Sequence, residues 1–124
     1  SYLTKHLMTN WKIGLEWFAD CLTDWDPAAN AMGWQWVAGC GPDAALFFRI
    51  FNPETQAKRF DGDMAYQDRW LADGRANPHP DALAFYQAAP KSWKLSPDDA
   101  LPTPAITLAE GRARALDAYQ VLRG

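Results

Sequence analysis

Asp24-Trp25-Asp26-Pro27-Ala28-Ala29-Asn30-Ala31-Met32-Gly33-Trp34-Gln35-Trp36 is the stretch that decides how this chain is read. Asp26 suits a helix cap and Pro27 the first helical position, so a helix opens here and runs to about Val37. A helix built for a core would carry Leu or Ile where Ala28, Ala29 and Asn30 stand. Small residues and an amide leave room and a hydrogen-bonding group instead. Two indoles follow with only Gln35 between them. A small, polar, aromatic-rimmed face of this kind suits a flat, heteroatom-rich molecule laid against it.

Outward from this helix, the pattern stays helical. Upstream, Leu3, Leu7, Trp11, Leu15, Phe18 and Leu22 recur at intervals of three and four. That spacing predicts one amphipathic helix ending near Cys21 or Leu22, with Gly14 off its apolar stripe. Downstream, Gly39-Cys40-Gly41-Pro42 reads as a turn, and Asn52-Pro53-Glu54 opens a short helix to about Arg59. Asp61 or Asp63 caps a further helix carrying Met64, Trp70 and Leu71, expected to end at Gly74. Residues 77–104 hold six of the nine prolines and read as an extended connector, with at most a short helix around 82–88. Thr107-Leu108-Ala109-Glu110 is a capping-box signature for a last helix whose apolar side is Leu108, Ala115, Leu116, Tyr119 and Leu122. No strand alternation and no internal repeat stand out. The fold class is all-α, divided into a helical core over 1–76, a Pro-rich connector over 77–106 and a C-terminal helix over 107–124.

Length and composition narrow the functions open to such a chain. Its 124 residues suit one domain with a modest core, and 48% hydrophobic content with seven tryptophans excludes disorder over the first two thirds. No apolar run approaches membrane-spanning length, and no basic-then-apolar leader is present. Cys21 and Cys40 read as reduced thiols of a cytoplasmic protein rather than a disulfide scaffold. His6 and His79 lack the Cys or carboxylate spacing of a metal site, so no metal is expected. The net charge of −3 argues against nucleic-acid binding by electrostatics alone.

The Asp24–Trp36 run continues through Gly39-Cys40-Gly41-Pro42-Asp43-Ala44-Ala45 and Phe48-Arg49-Ile50-Phe51-Asn52-Pro53, then Gln56 and Phe60-Asp61. In order and spacing it resembles the flavin-binding domain of the DNA photolyase/cryptochrome family. The likeness reaches upstream to Ser1-Tyr2-Leu3-Thr4-Lys5 and Trp11. Downstream it takes in Tyr66, Trp70, residues 102–106 and residues 112–116. Leu46, Ala31-Met32 and Asp73-Gly74 depart from the family pattern.

The resemblance implies the C-terminal helical portion of that domain. FAD is the implied cofactor, and any second antenna chromophore belongs to an N-terminal domain. The remainder of the photolyase chain is expected to supply a phosphate clamp and an arginine opposite Asp24. Asp24, Trp25, Asp26 and Asn30 would contact FAD, with the Asn30 amide facing flavin N5. Trp34 and Trp11 match the inner and middle stations of an electron relay, because an indole can give up an electron. Trp36 and Gln56 match residues facing the lesion and DNA, and Arg49 and Arg59 nearby read as phosphate contacts. Trp17, Trp70 and Trp93 have no such match and read as packing. The implied activity is light-dependent splitting of cyclobutane pyrimidine dimers in UV-damaged DNA, with no membrane partner. The alternatives are a cryptochrome-type photoreceptor and a stand-alone helical interaction module without flavin.

Overall fold

Every regular element among residues 1–42 and 49–124, which the computed structural model describes, is helical. The order is a π-helical turn Tyr2–His6, α1 Trp11–Cys21, α2 Pro27–Ala38, α3 Pro53–Phe60, α4 Ala65–Trp70, α5 Pro80–Ala88, a 3₁₀ turn Lys91–Trp93 and α6 Leu108–Arg123. The motif residues Asp43, Ala44, Ala45 and Phe48, and Leu46 among the departures, lie outside the described residues. The chain forms two compact units, Ser1–Pro53 with Ala105–Gly124, and Glu54–Pro104.

In the first unit, the single helix expected from Leu3 to Cys21 is two pieces. Met8 takes a left-handed φ of 54°, and Asn10 caps α1 by accepting the Lys12 N–H on Oδ1 at 3.0 Å. A short amide at a helix start competes for backbone N–H groups and fixes the boundary there, which apolar spacing alone does not register. Gly14, read as off the stripe, is in fact buried where α1 crosses α2.

α2 begins and ends as its residues dictate. Asp26 Oδ1 accepts the Ala29 N–H at 2.7 Å, and Gly39 closes the helix at a φ of +84°. The buried Lys5 side chain donates from Nζ to the Ala38 carbonyl at 3.0 Å, placing a cation at the negative end of the helix. Burial holds the Lys5 pKa below its ordinary value.

α6 starts at the expected capping box, with Thr107 Oγ1 accepting the Glu110 N–H at 3.2 Å and Glu110 Oε2 accepting from the Thr107 N–H at 3.3 Å. It docks on the N-terminal turn. Tyr2 Oη donates to the Ile106 carbonyl at 2.9 Å, and His6, 1% exposed, stacks on Tyr2. A Cβ at Gly111 would come within 2.6 Å of His6 Cβ, so only glycine allows this approach.

The second unit is held by short polar ties. Asp61 accepts the Tyr66 N–H at 2.8 Å and the Gln67 N–H at 3.0 Å, which caps α4. These bonds lower the Asp61 pKa, the one from Tyr66 most. Helix α4 stops at Trp70, four residues before the expected Gly74. Gly74, at a φ of +70°, instead forms a turn whose N–H donates to the Asp99 carbonyl at 3.1 Å. Arg69 Nε meets Asp81 Oδ2 at 2.7 Å, linking α4 to α5. His79 caps α5, its Nδ1 accepting the Asp81 N–H at 3.1 Å.

Among the described residues the fully buried apolar side chains are all alanines, Ala72, Ala82 and Ala115. Ile13 and Trp17 on α1 are 57% and 59% exposed. Trp70 and Trp93 are also about half exposed, so none of these three tryptophans, which were expected to pack, is buried among the described residues. Trp70 instead carries the Arg69 guanidinium over its ring at 4.9 Å.

Candidate functional site

One face of α2 repeats at three and four residues through Asp26, Ala29, Asn30, Gly33, Trp34 and Val37. These residues line a cavity of about 480 Å³, completed by Asp24, Ser1, and Phe18 and Leu22 at the end of α1. That volume suits a small organic ligand, and the walls are mostly apolar with a few polar groups, as such sites require. The alanines and glycine seen in the sequence are what keep this space open.

Asn30 is the one polar side chain of α2 that is buried. Its Nδ2 donates to the Leu15 carbonyl at 3.0 Å, while its Oδ1 is buried without a hydrogen-bond partner among the described residues. The α1 backbone thereby fixes which end of the amide is free, and the free end is an acceptor. Leaving such an atom unpaired costs about 1–3 kcal/mol, so a ligand N–H at this place is the economical partner. Trp34 stands one turn further on. Its ring meets Phe18 edge to face with centroids 5.0 Å apart, and its indole Nε1 is buried without an acceptor among the described residues. Asp26 has one oxygen committed to the helix cap, and Asp24 presents an exposed carboxylate to the cavity wall.

The structure therefore brings Asp24, Asp26, Asn30 and Trp34 to one cavity. Trp25 and Trp11 are not among its lining residues. Trp25 is 43% exposed, and Trp11 is half-buried at the start of α1. Trp36, two residues beyond Trp34, faces another side of α2, where it lines a small recess with Met32, Gln35 and Cys40. It is 38% exposed and stacks with Phe51 at a centroid distance of 6.2 Å. Arg49 is exposed in the first unit. Gln56 and Arg59 sit on α3 in the second unit, Gln56 half-buried and Arg59 over the Phe60 ring at 5.1 Å. Sequence reading missed Gly14, the Leu15 carbonyl and Phe18 as parts of the site. A glycine in mid-helix is the signal that was available, since it costs helix stability and implies a close approach.

Residues 1–121 match the family model described as the FAD binding domain of DNA photolyase. The chain belongs to this family. It is 42% identical to the deoxyribodipyrimidine photo-lyase of Agrobacterium fabrum, over 99% of this chain and 26% of the relative. It is 36% identical to that of Escherichia coli, over 99% of this chain and 25% of the relative. Among solved structures, a bacterial class III photolyase from Agrobacterium tumefaciens aligns with a TM-score of 0.70 at 41% identity, covering 98% of this chain and 26% of that one. The chain thus spans about a quarter of the length of the relatives it matches.

FAD is the cofactor of this domain family, and the cavity fits a flavin. Its walls are largely apolar, its polar edge carries the free Asn30 Oδ1, and that acceptor suits a ring N–H such as flavin N5 carries when reduced. Among the described residues there is no cluster of His, Cys, Asp and Glu that would hold a metal ion, and no helix long and apolar enough to cross a membrane.

Proposed function

We propose that this segment is the flavin wall of a longer, cytoplasmic, light-dependent DNA repair enzyme that splits cyclobutane pyrimidine dimers. The observation that carries the reading is the α2 cavity, in which a buried, oriented and unpaired Asn30 oxygen stands beside Trp34. FAD, when bound, supplies the light-driven electron that opens the dimer and recovers it afterwards.

This chain's residues bind, orient and exclude water. Asn30 accepts from the flavin ring edge, and its bond to the Leu15 carbonyl keeps the amide from turning over. Asp24, Trp25 and Asp26 hold the cofactor at the start of α2. Trp34, gripped by Phe18, serves as the inner relay station that restores reduced flavin, with Trp11 behind it. Packing rigidity is an asset to a relay, since misplacement by an ångström is costly. Trp36 and Phe51 form a stacked aromatic wall for a flipped dimer, and stacking offsets part of the base pairing lost. Gln56 faces the DNA, and Arg49 and Arg59 contact its phosphates.

Trp36 supplies the test. In the full-length protein, Trp36→Ala should weaken binding to dimer-containing DNA by about 1–3 kcal/mol, the usual loss for one base–aromatic stack. Affinity for undamaged duplex should hold, because it rests on phosphate contacts. The melting temperature should change little, since Trp36 is 38% exposed. A uniform fall in stability and all binding would make Trp36 a packing residue. A wild-type protein with no preference for damaged DNA would instead be a photoreceptor.

A further inference from the structure

Gly14 lies on the buried face of α1, and a Cβ built on it would stand 2.2 Å from Trp34 Cη2 and 2.5 Å from both Cζ2 and Cζ3. These three atoms are the outer edge of the indole, so the ring's end rests directly on the α1 backbone. One residue on, the Leu15 carbonyl holds Asn30, and a turn further the Phe18 ring braces Trp34 from the side. Three contacts of α1 within little more than one turn therefore fix Asn30 and Trp34 on the cavity face of α2. Glycine in the middle of a helix is less favourable than alanine, and here the helix accepts that cost where a methyl group has no room. A rigid indole cannot yield by bending. With a methyl at residue 14 it has to leave its position, and the free volume beside it is the cavity.

We infer that Gly14 is a positioning residue for the photochemistry: its bare backbone is the notch that seats Trp34 at its working distance from the flavin. This rests on the reading of the cavity as the flavin site, and it assigns to α1 a part in electron supply as well as in packing.

The test uses the full-length protein and three variants, Gly14→Ala, Trp34→Phe and the double variant. In Gly14→Ala, the light-driven reduction of bound oxidised FAD should slow by about tenfold to a hundredfold, as for a reacting group displaced by an ångström. The fluorescence lifetime of bound flavin should change with it, because a neighbouring indole quenches flavin by electron transfer. The melting temperature should fall. In the double variant the smaller ring frees the space, so the melting temperature should return to that of Trp34→Phe alone, a coupling that independent sites do not show. If Gly14→Ala does not fold, recovery of folding in the double variant supports the notch equally. Wild-type photoreduction and lifetime in a folded Gly14→Ala, or a double variant no more stable than the sum of its parts, overturns the inference. Should the wild type bind no flavin, the functional reading fails separately, while the melting-temperature cycle still judges the notch.

Discussion

Asn30 works at both ends of its amide, tying α2 to the α1 backbone through Nδ2 and leaving Oδ1 to the cavity. Asn30→Ala should therefore cost about 1–2 kcal/mol of stability through the lost buried hydrogen bond, measurable by denaturant unfolding. In the full-length protein it should also leave a larger share of the purified flavin oxidised, read from the absorption spectrum. Trp34→Phe separates supply from repair. It should abolish photoreduction of oxidised FAD yet spare dimer splitting by protein reduced chemically beforehand. Equal photoreduction rates in the variant and wild type would remove Trp34 from the relay. Much of this residue-scale detail was legible in the sequence. The Asp-x-Asp-Pro start, the small residues and the amide at helical spacing already described the open, partly polar face of α2 that lines the cavity. Gly14 in mid-helix signalled a close approach but not its partner, and Phe18 read only as part of an apolar stripe. What each touches depends on where two helices cross, and a spacing pattern within one helix holds no such information.

At the scale of elements, polar caps decide the boundaries. Where a cap was written plainly, as at Asp26-Pro27 and Thr107-x-x-Glu110, the helix starts were read correctly. Where apolar spacing ran on through a local break, as at Met8 and Asn10, the continuous stripe concealed two pieces. Asp61 shows how such a cap responds to pH. Its pKa is lowered in the fold by the N–H groups of Tyr66 and Gln67, so its contribution is complete above the ordinary carboxyl value of 3.8. That contribution is lost as pH falls through the lower folded value. Asp61→Asn should thus reduce protection of the α4 amides from hydrogen exchange at neutral pH, and the difference from wild type should shrink in acid. A difference that grew in acid would contradict the cap. Thr107→Ala should lower stability by about 1 kcal/mol through loss of the α6 cap, seen as a fall in melting temperature.

Over the whole molecule, the described residues bury few apolar side chains and expose many large ones, Ile13, Trp17 and Phe60 among them. Surfaces of this composition are normally covered. The match to about a quarter of each relative's length agrees with a segment that packs against more protein. Helical spacing and caps revealed the all-α class but not this exposure, because an apolar stripe reads the same whether its partners lie inside or outside the segment. The cavity also lacks any Lys or Arg among its described lining residues, so it offers little to a diphosphate. The 124-residue segment alone should therefore lose FAD on desalting, whereas the full-length protein should keep it. Flavin absorbance that survives desalting of the segment would show that the α2 face suffices. The decisive measurement is dimer splitting by the full-length protein, reduced and bound to FAD, on DNA containing a cyclobutane pyrimidine dimer. If this segment belongs to a dimer-splitting photolyase, intact pyrimidines should be restored under blue light and not in the dark. Tight flavin binding with no light-dependent restoration would contradict it.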